Sequence, residues 1–74
     1  MENKFCKRLK ELRLDKEMNQ ADVAKALHVT YNTIGNWERN YSSPSIYELI
    51  ILADFFDVSA DYLLGRTEDY GGKK

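Results

Sequence analysis

NQADVAKALHVTYNTIGNWERN, residues 19–40, holds two short helical patterns separated by only a few residues. In the first, QADVAKAL, Val23, Ala24 and Leu27 share one face, and Asn19 with Asp22 three positions on is a helix-start pairing. His28 ends it, a residue type that tolerates a left-handed backbone better than most. Thr30 can cap the second, which runs through Glu38 or Arg39. Only Val29, Ile34 and Trp37 suit a core there; Tyr31, Asn32, Thr33 and Asn36 take other positions, and Gly35 costs about 1 kcal/mol relative to Ala. A merely solvated face would favour Glu, Lys and Ala over Asn, Thr and Gly.

The flanking segments extend the helical pattern. Phe5, Leu9 and Leu12 form an apolar stripe on a helix expected from Lys4 to Glu17. After residue 38 comes NYSSPS (40–45), a cluster of turn formers with the chain's one proline. Ser45 and Glu48 are spaced as a capping box opening a fourth helix, which is expected to bury Ile46, Leu49, Ile50, Leu52, Ala53 and Phe56 in varying degree. Asp57 and Val58 turn the chain. Ser59 caps a short fifth helix with Leu63 and Leu64 inward, and Gly65 ends it. No strand pattern appears, so the reading is all-α: a compact five-helix domain over 1–66 and a flexible tail over 67–74.

Composition narrows the function. Seventy-four residues with 43% hydrophobic content suit one domain with one modest core. One cysteine, Cys6, rules out an internal disulfide and a thiolate metal cluster. One histidine far from it, scattered acidic residues and no glycine-rich phosphate loop argue against an enzyme; neither a metal nor a cofactor is expected. Charged residues interrupt the N-terminus and no apolar run is long enough to span a membrane, so a cytoplasmic protein is expected. Net charge is −1, but unevenly spread: residues 1–40 carry eight Lys/Arg against six Asp/Glu, residues 41–74 three against six. That asymmetry permits a polyanion-facing N-terminal half without requiring one.

Two short helices joined by a tight turn are the helix-turn-helix unit, whose second helix enters the major groove of DNA. The unit needs a small residue where the helices meet (Ala24), apolar anchors (Val29, Ile34), and polar hydrogen-bonders on the outer face of the second helix. Asn can pair with adenine through one donor and one acceptor.

On these residues the chain resembles the Cro/cI-type (XRE) family of bacterial and phage regulators. The matching pieces are RLKELR (8–13), NQADVAKALHV (19–29), TIGNWERN (33–40), SPSIYELIILADFFDVS (43–59) and DYLLGRT (61–67). The resemblance implies a lambda-repressor-like fold and a transcriptional regulator, most often a repressor, acting as a homodimer on a pseudo-palindromic double-stranded operator. It assigns base reading to Tyr31, Asn32 and Asn36, with Thr33 at base or phosphate reach. Phosphate contacts fall to Asn19, Gln20, Thr30, Trp37, Arg39, Asn40 and Tyr41, and a structural salt bridge to Arg13 and Glu38. Dimerisation is expected around Tyr62, Leu63 and the tail, with Tyr62 and Tyr70 as exposed aromatics. An antirepressor or inducer protein is a further partner such regulators can have. Four positions depart from the family pattern: His28 and Asn40 replace turn glycines, Gly35 replaces a longer polar or basic residue, and Tyr31 is a bulky aromatic where a flexible polar chain is common. The alternative reading is an antitoxin-like or protein-interaction module on the same scaffold.

Overall fold

The computed structural model describes residues 4–71, with the helices α1 (Lys4–Asp15), α2 (Gln20–Leu27), α3 (Tyr31–Glu38), α4 (Ile46–Phe56) and α5 (Ala60–Leu64). Helix starts follow the side-chain chemistry of the caps. Asn19 accepts from Asp22 N–H while Asp22 accepts from Asn19 N–H, and Ser45 with Glu48 does the same. Thr30 and Ser59 cap α3 and α5 by accepting from Thr33 and Tyr62 N–H.

Helix ends share one device. Met18, Val29, Tyr41, Val58 and Arg66 donate to the carbonyls of Arg13, Ala24, Asn36, Ala53 and Asp61, five residues back in each case. The residue before each donor is left-handed: Glu17, His28, Asn40, Asp57 and Gly65 have φ of 57–83°. Only the last is glycine. There a Cβ would lie 2.6 Å from that of Lys4, so Gly65 also permits close approach of α1.

The core draws on all five helices. Leu9, Val23, Ile34, Leu52 and Leu63 are fully buried, with Phe5, Leu12, Ala24, Leu27, Trp37, Ala53, Phe56, Val58 and Tyr62 around them. α2 packs chiefly on α3, and α1 bridges α3 and α5. Val29, just outside α3, packs at the core margin and helps seat that helix. Among the described residues no helix is long and apolar enough to cross a membrane.

Several expectations are corrected. On α4, Leu52, Ala53 and Phe56 turn inward, but Ile46 and Ile50 are 76% and 49% exposed, beside exposed Tyr47 and Ile51. That helix is apolar almost all round, so residue type does not tell its two faces apart. Leu64 is exposed too, because a five-residue helix has room for little more than one inward turn. Tyr62, expected at the surface, is buried beneath Arg8, whose guanidinium carbon lies 4.1 Å from its ring centroid. α1 ends at Asp15, two residues before the expected Glu17.

Arg8 also organises the segment after α5. Its Nη1 donates to the carbonyls of Tyr62 and Thr67, and its Nη2 to Glu68 Oε1 at 2.9 Å. Tyr70 packs on Tyr62 with ring centroids 4.6 Å apart, and Ser59 N–H donates to the Tyr70 carbonyl. Residues 67–71 of the expected tail therefore lie against α1 and α5; residues 72–74 lie outside the described residues.

Candidate nucleic-acid interface

Helix α3 is seated by its inward residues. Ile34 and Trp37 are 0% and 2% exposed, fixing which side chains point away. Those are Tyr31 and Asn32, both exposed, and the half-buried Thr33 and Asn36. The polar face thus lies opposite the core, with the N-terminus of α2 alongside.

Beneath this face runs a polar network joining three helices. Arg13 on α1 donates to Glu38 on α3 through Nε–H (2.7 Å to Oε2) and Nη2–H (3.0 Å to Oε1), and through Nη1–H to the Met18 carbonyl. The two side chains are only 10% and 4% exposed. The Glu38 hydrogen bonds hold the Arg13 pKa above its ordinary value, outweighing burial, which acts the other way. Gln20, the first residue of α2, adds a bond from Nε2–H to Glu38 Oε1 at 3.1 Å.

Gly35 owes its place to this network. A Cβ there would stand 3.3 Å from Gln20 Oε1 and 3.2 Å from Arg39 Nη1. The missing side chain is the space in which those two lie across α3. Arg39 continues the outer edge: its Nη2–H donates to Asn36 Oδ1 at 2.9 Å, and its guanidinium carbon is 5.0 Å from the Tyr41 ring centroid.

The sequence-derived site residues fall into three groups. Tyr31, Asn32, Thr33 and Asn36 share the outer face of α3. Asn19, Thr30, Arg39, Asn40 and Tyr41 are exposed at the ends of α2 and α3, although Asn19 and Thr30 already spend side-chain oxygens on capping. Gln20 is half-buried and shares its amide with Glu38, while the Trp37 ring belongs to the core and leaves only a sliver of surface for a phosphate. Sequence reasoning missed the Asn36–Arg39 contact, for which the three-residue spacing on one helix was the available signal. It also missed the packing of Gly35 on Gln20, which depends on how α2 crosses α3.

Comparison with known proteins places this geometry. A helix-turn-helix family model matches residues 9–63. The chain is 40% identical over 62 residues to the HTH-type transcriptional regulator ImmR of Bacillus subtilis, covering 84% of this chain and 49% of that protein. It is 30% identical over 64 residues to the cryptic phage CTXphi transcriptional repressor RstR of Vibrio cholerae, covering 86% and 58%. The chain thus spans about half the length of these curated relatives. Among solved structures, the P22 c2 repressor in complex with a synthetic operator superposes with a TM-score of 0.78 at 30% identity, covering 81% of this chain and 91% of that one.

Proposed function

Since the chain belongs to the XRE-type helix-turn-helix family of DNA-binding transcriptional regulators, we propose that it is a repressor that binds a pseudo-palindromic operator as a homodimer. In this reading α3 enters the major groove, where Tyr31, Asn32 and Asn36 meet base edges and Thr33 meets a base or phosphate. Asn19, Gln20, Thr30, Asn40 and Tyr41 hold the backbone on either side, with the edge of Trp37 beside them and Arg39 against Asn36 at the outer edge. The observation that carries it is the outer face of α3: four uncharged hydrogen-bonders held outward by Ile34 and Trp37, with the α2 N-terminus next to them. Relatives bearing the word repressor support the regulatory sign.

A second copy needs an apolar surface. On α4, Ile46 and Ile50, and Tyr47 and Ile51, are successive pairs one turn apart and all exposed. A symmetric dimer would bury this surface against its own copy. Tyr62 does not contribute, being covered by Arg8.

The same apolar surface also favours the alternative, a module that acts through a protein partner such as an antirepressor. Binding to duplexes selected from a randomised library separates the two. Repression through an operator requires one site bound about a thousandfold or more over scrambled DNA, with affinity falling as salt rises. Equal binding to selected and scrambled duplexes at low salt sinks the operator reading.

A further inference from the structure

We infer that Arg39 is a positioning residue that fixes which edge of Asn36 faces the DNA, so that Asn36 selects guanine rather than adenine. The inference rests on the operator-binding reading above and adds a base to it. Arg39 Nη2–H donates to Asn36 Oδ1 at 2.9 Å. A guanidinium carries donors only, so the amide has one orientation consistent with this contact: oxygen toward Arg39, NH2 outward. The guanidinium has one further contact and an open place to lie. Tyr41 lies 5.0 Å beneath it, and the bare backbone of Gly35 leaves room where a Cβ would approach Nη1 to 3.2 Å.

An amide pairs with adenine by donating to N7 and accepting from the exocyclic amine. Here one of the two lone pairs of the accepting oxygen is taken by Arg39, and the positive guanidinium beside it opposes the second donor that adenine's amine would bring, which weakens the adenine pair. The group left fully free on Asn36 is its NH2, which carries two N–H donors. Guanine offers two acceptors, O6 and N7, on its major-groove edge, and matches that set. Arg39 thus biases the code of Asn36 from mixed donor and acceptor toward donor.

The test is selection of duplexes from a randomised library by the full chain and by Asn36→Ala, Arg39→Ala and Arg39→Lys. The wild type is expected to select guanine at one position in each half-site, and Asn36→Ala to lose preference there alone. Arg39→Ala frees the amide oxygen and is expected to shift that position toward adenine by about tenfold. Arg39→Lys keeps the charge but not the planar fork, and is expected to relax the same position while retaining overall affinity. Adenine selected by the wild type at the Asn36-dependent position overturns the inference. So does an Arg39→Ala variant that keeps the guanine preference and binds all duplexes more weakly, with a salt slope lower by about one, the signature of a phosphate contact. A wild type that selects no sequence removes the operator reading itself, an outcome distinct from either.

Discussion

Arg13 and Glu38 form a two-pronged ion pair, 2.7 and 3.0 Å long, between the end of α1 and the last residue of α3. Both side chains are nearly excluded from water, and Gln20 and the Met18 carbonyl complete the hydrogen bonding. The pair sets the angle at which α3 leaves the core, and hence where its outer face points. Removing one partner strands the other. Glu38→Ala is expected to cost about 3–5 kcal/mol in urea unfolding, a large part of the stability of so small a domain. Replacing both by apolar residues of similar volume should cost far less. If the single and double variants lose the same amount, the penalty is not one of stranded charge.

The left-handed helix ends give a prediction of the opposite sign. Glu17 and His28, at φ 58° and 59°, hold a conformation that disfavours side chains bearing a Cβ. His28→Gly and Glu17→Gly are each expected to raise stability by about 0.5–1 kcal/mol, smaller than the full left-handed penalty because glycine is freer when unfolded. His28→Val should lower it. Denaturant midpoints at constant slope measure all three, and a less stable His28→Gly would mean the imidazole makes a contact worth more than the backbone strain.

Gly35 was legible in the sequence as an anomaly but not as a solution. Its explanation lies across the α2–α3 contact, in the side chains of Gln20 and Arg39. The same limit shows elsewhere. Asn19, Ser45 and Ser59 announce their helices because capping is local, and the inward positions of α1, α2 and α3 follow from helical spacing alone. Arg8 did not announce its role, since its partners Tyr62, Thr67 and Glu68 stand 54–60 residues away. Nor did α4 reveal its outer face, because Ile46 and Ile50 are chemically indistinguishable from residues that are buried. Local chemistry was readable; contacts between distant segments were not.

Gly35→Ala sets helix propensity against space. Alanine gains about 1 kcal/mol in a helix interior, while the new Cβ crowds Arg39 Nη1 and Gln20 Oε1 at 3.2 and 3.3 Å. Arg39 is exposed and can move, whereas Gln20 is tied to Glu38. The expected net effect is a gain of less than about 1 kcal/mol in thermal or urea unfolding. A loss instead would show that Gln20 cannot yield and that its bond to Glu38 breaks.

Tyr62 makes stability depend on pH at the alkaline end. Burial, then the hydrogen bond with Tyr70, raise its pKa above the ordinary 10.0, because the charged phenolate is disfavoured in the fold. Below pH 10 the phenol is neutral both folded and unfolded, and its contribution is fully present. As pH rises from the unfolded value through the folded one, the unfolded chain releases its proton first and stability falls. Urea midpoints between pH 8.5 and 11, a range chosen to bracket a tyrosine of about pKa 10, should decline for the wild type. They should decline less for Tyr62→Phe, which keeps the ring under Arg8; equal slopes would assign the decline to other groups.

The exposed surface of α4 is where the proposed dimer can be tested without touching the proposed DNA-binding face. Ile50 is 49% exposed in the single chain and lies outside the buried Leu52–Ala53–Phe56 set of α4. Ile50→Asp is therefore expected to leave the unfolding midpoint within about 0.5 kcal/mol of the wild type, as surface changes usually do. A buried, unpaired carboxylate in a symmetric interface would appear twice, facing its own copy, so the same change should abolish association in sedimentation experiments. Loss of the dimer removes the advantage of linked half-sites, so affinity for a paired operator should fall by about a hundredfold or more while affinity for an isolated half-site stays the same. Affinity falling equally on both would place Ile50 against the DNA, and an unchanged dimer would move the interface off α4.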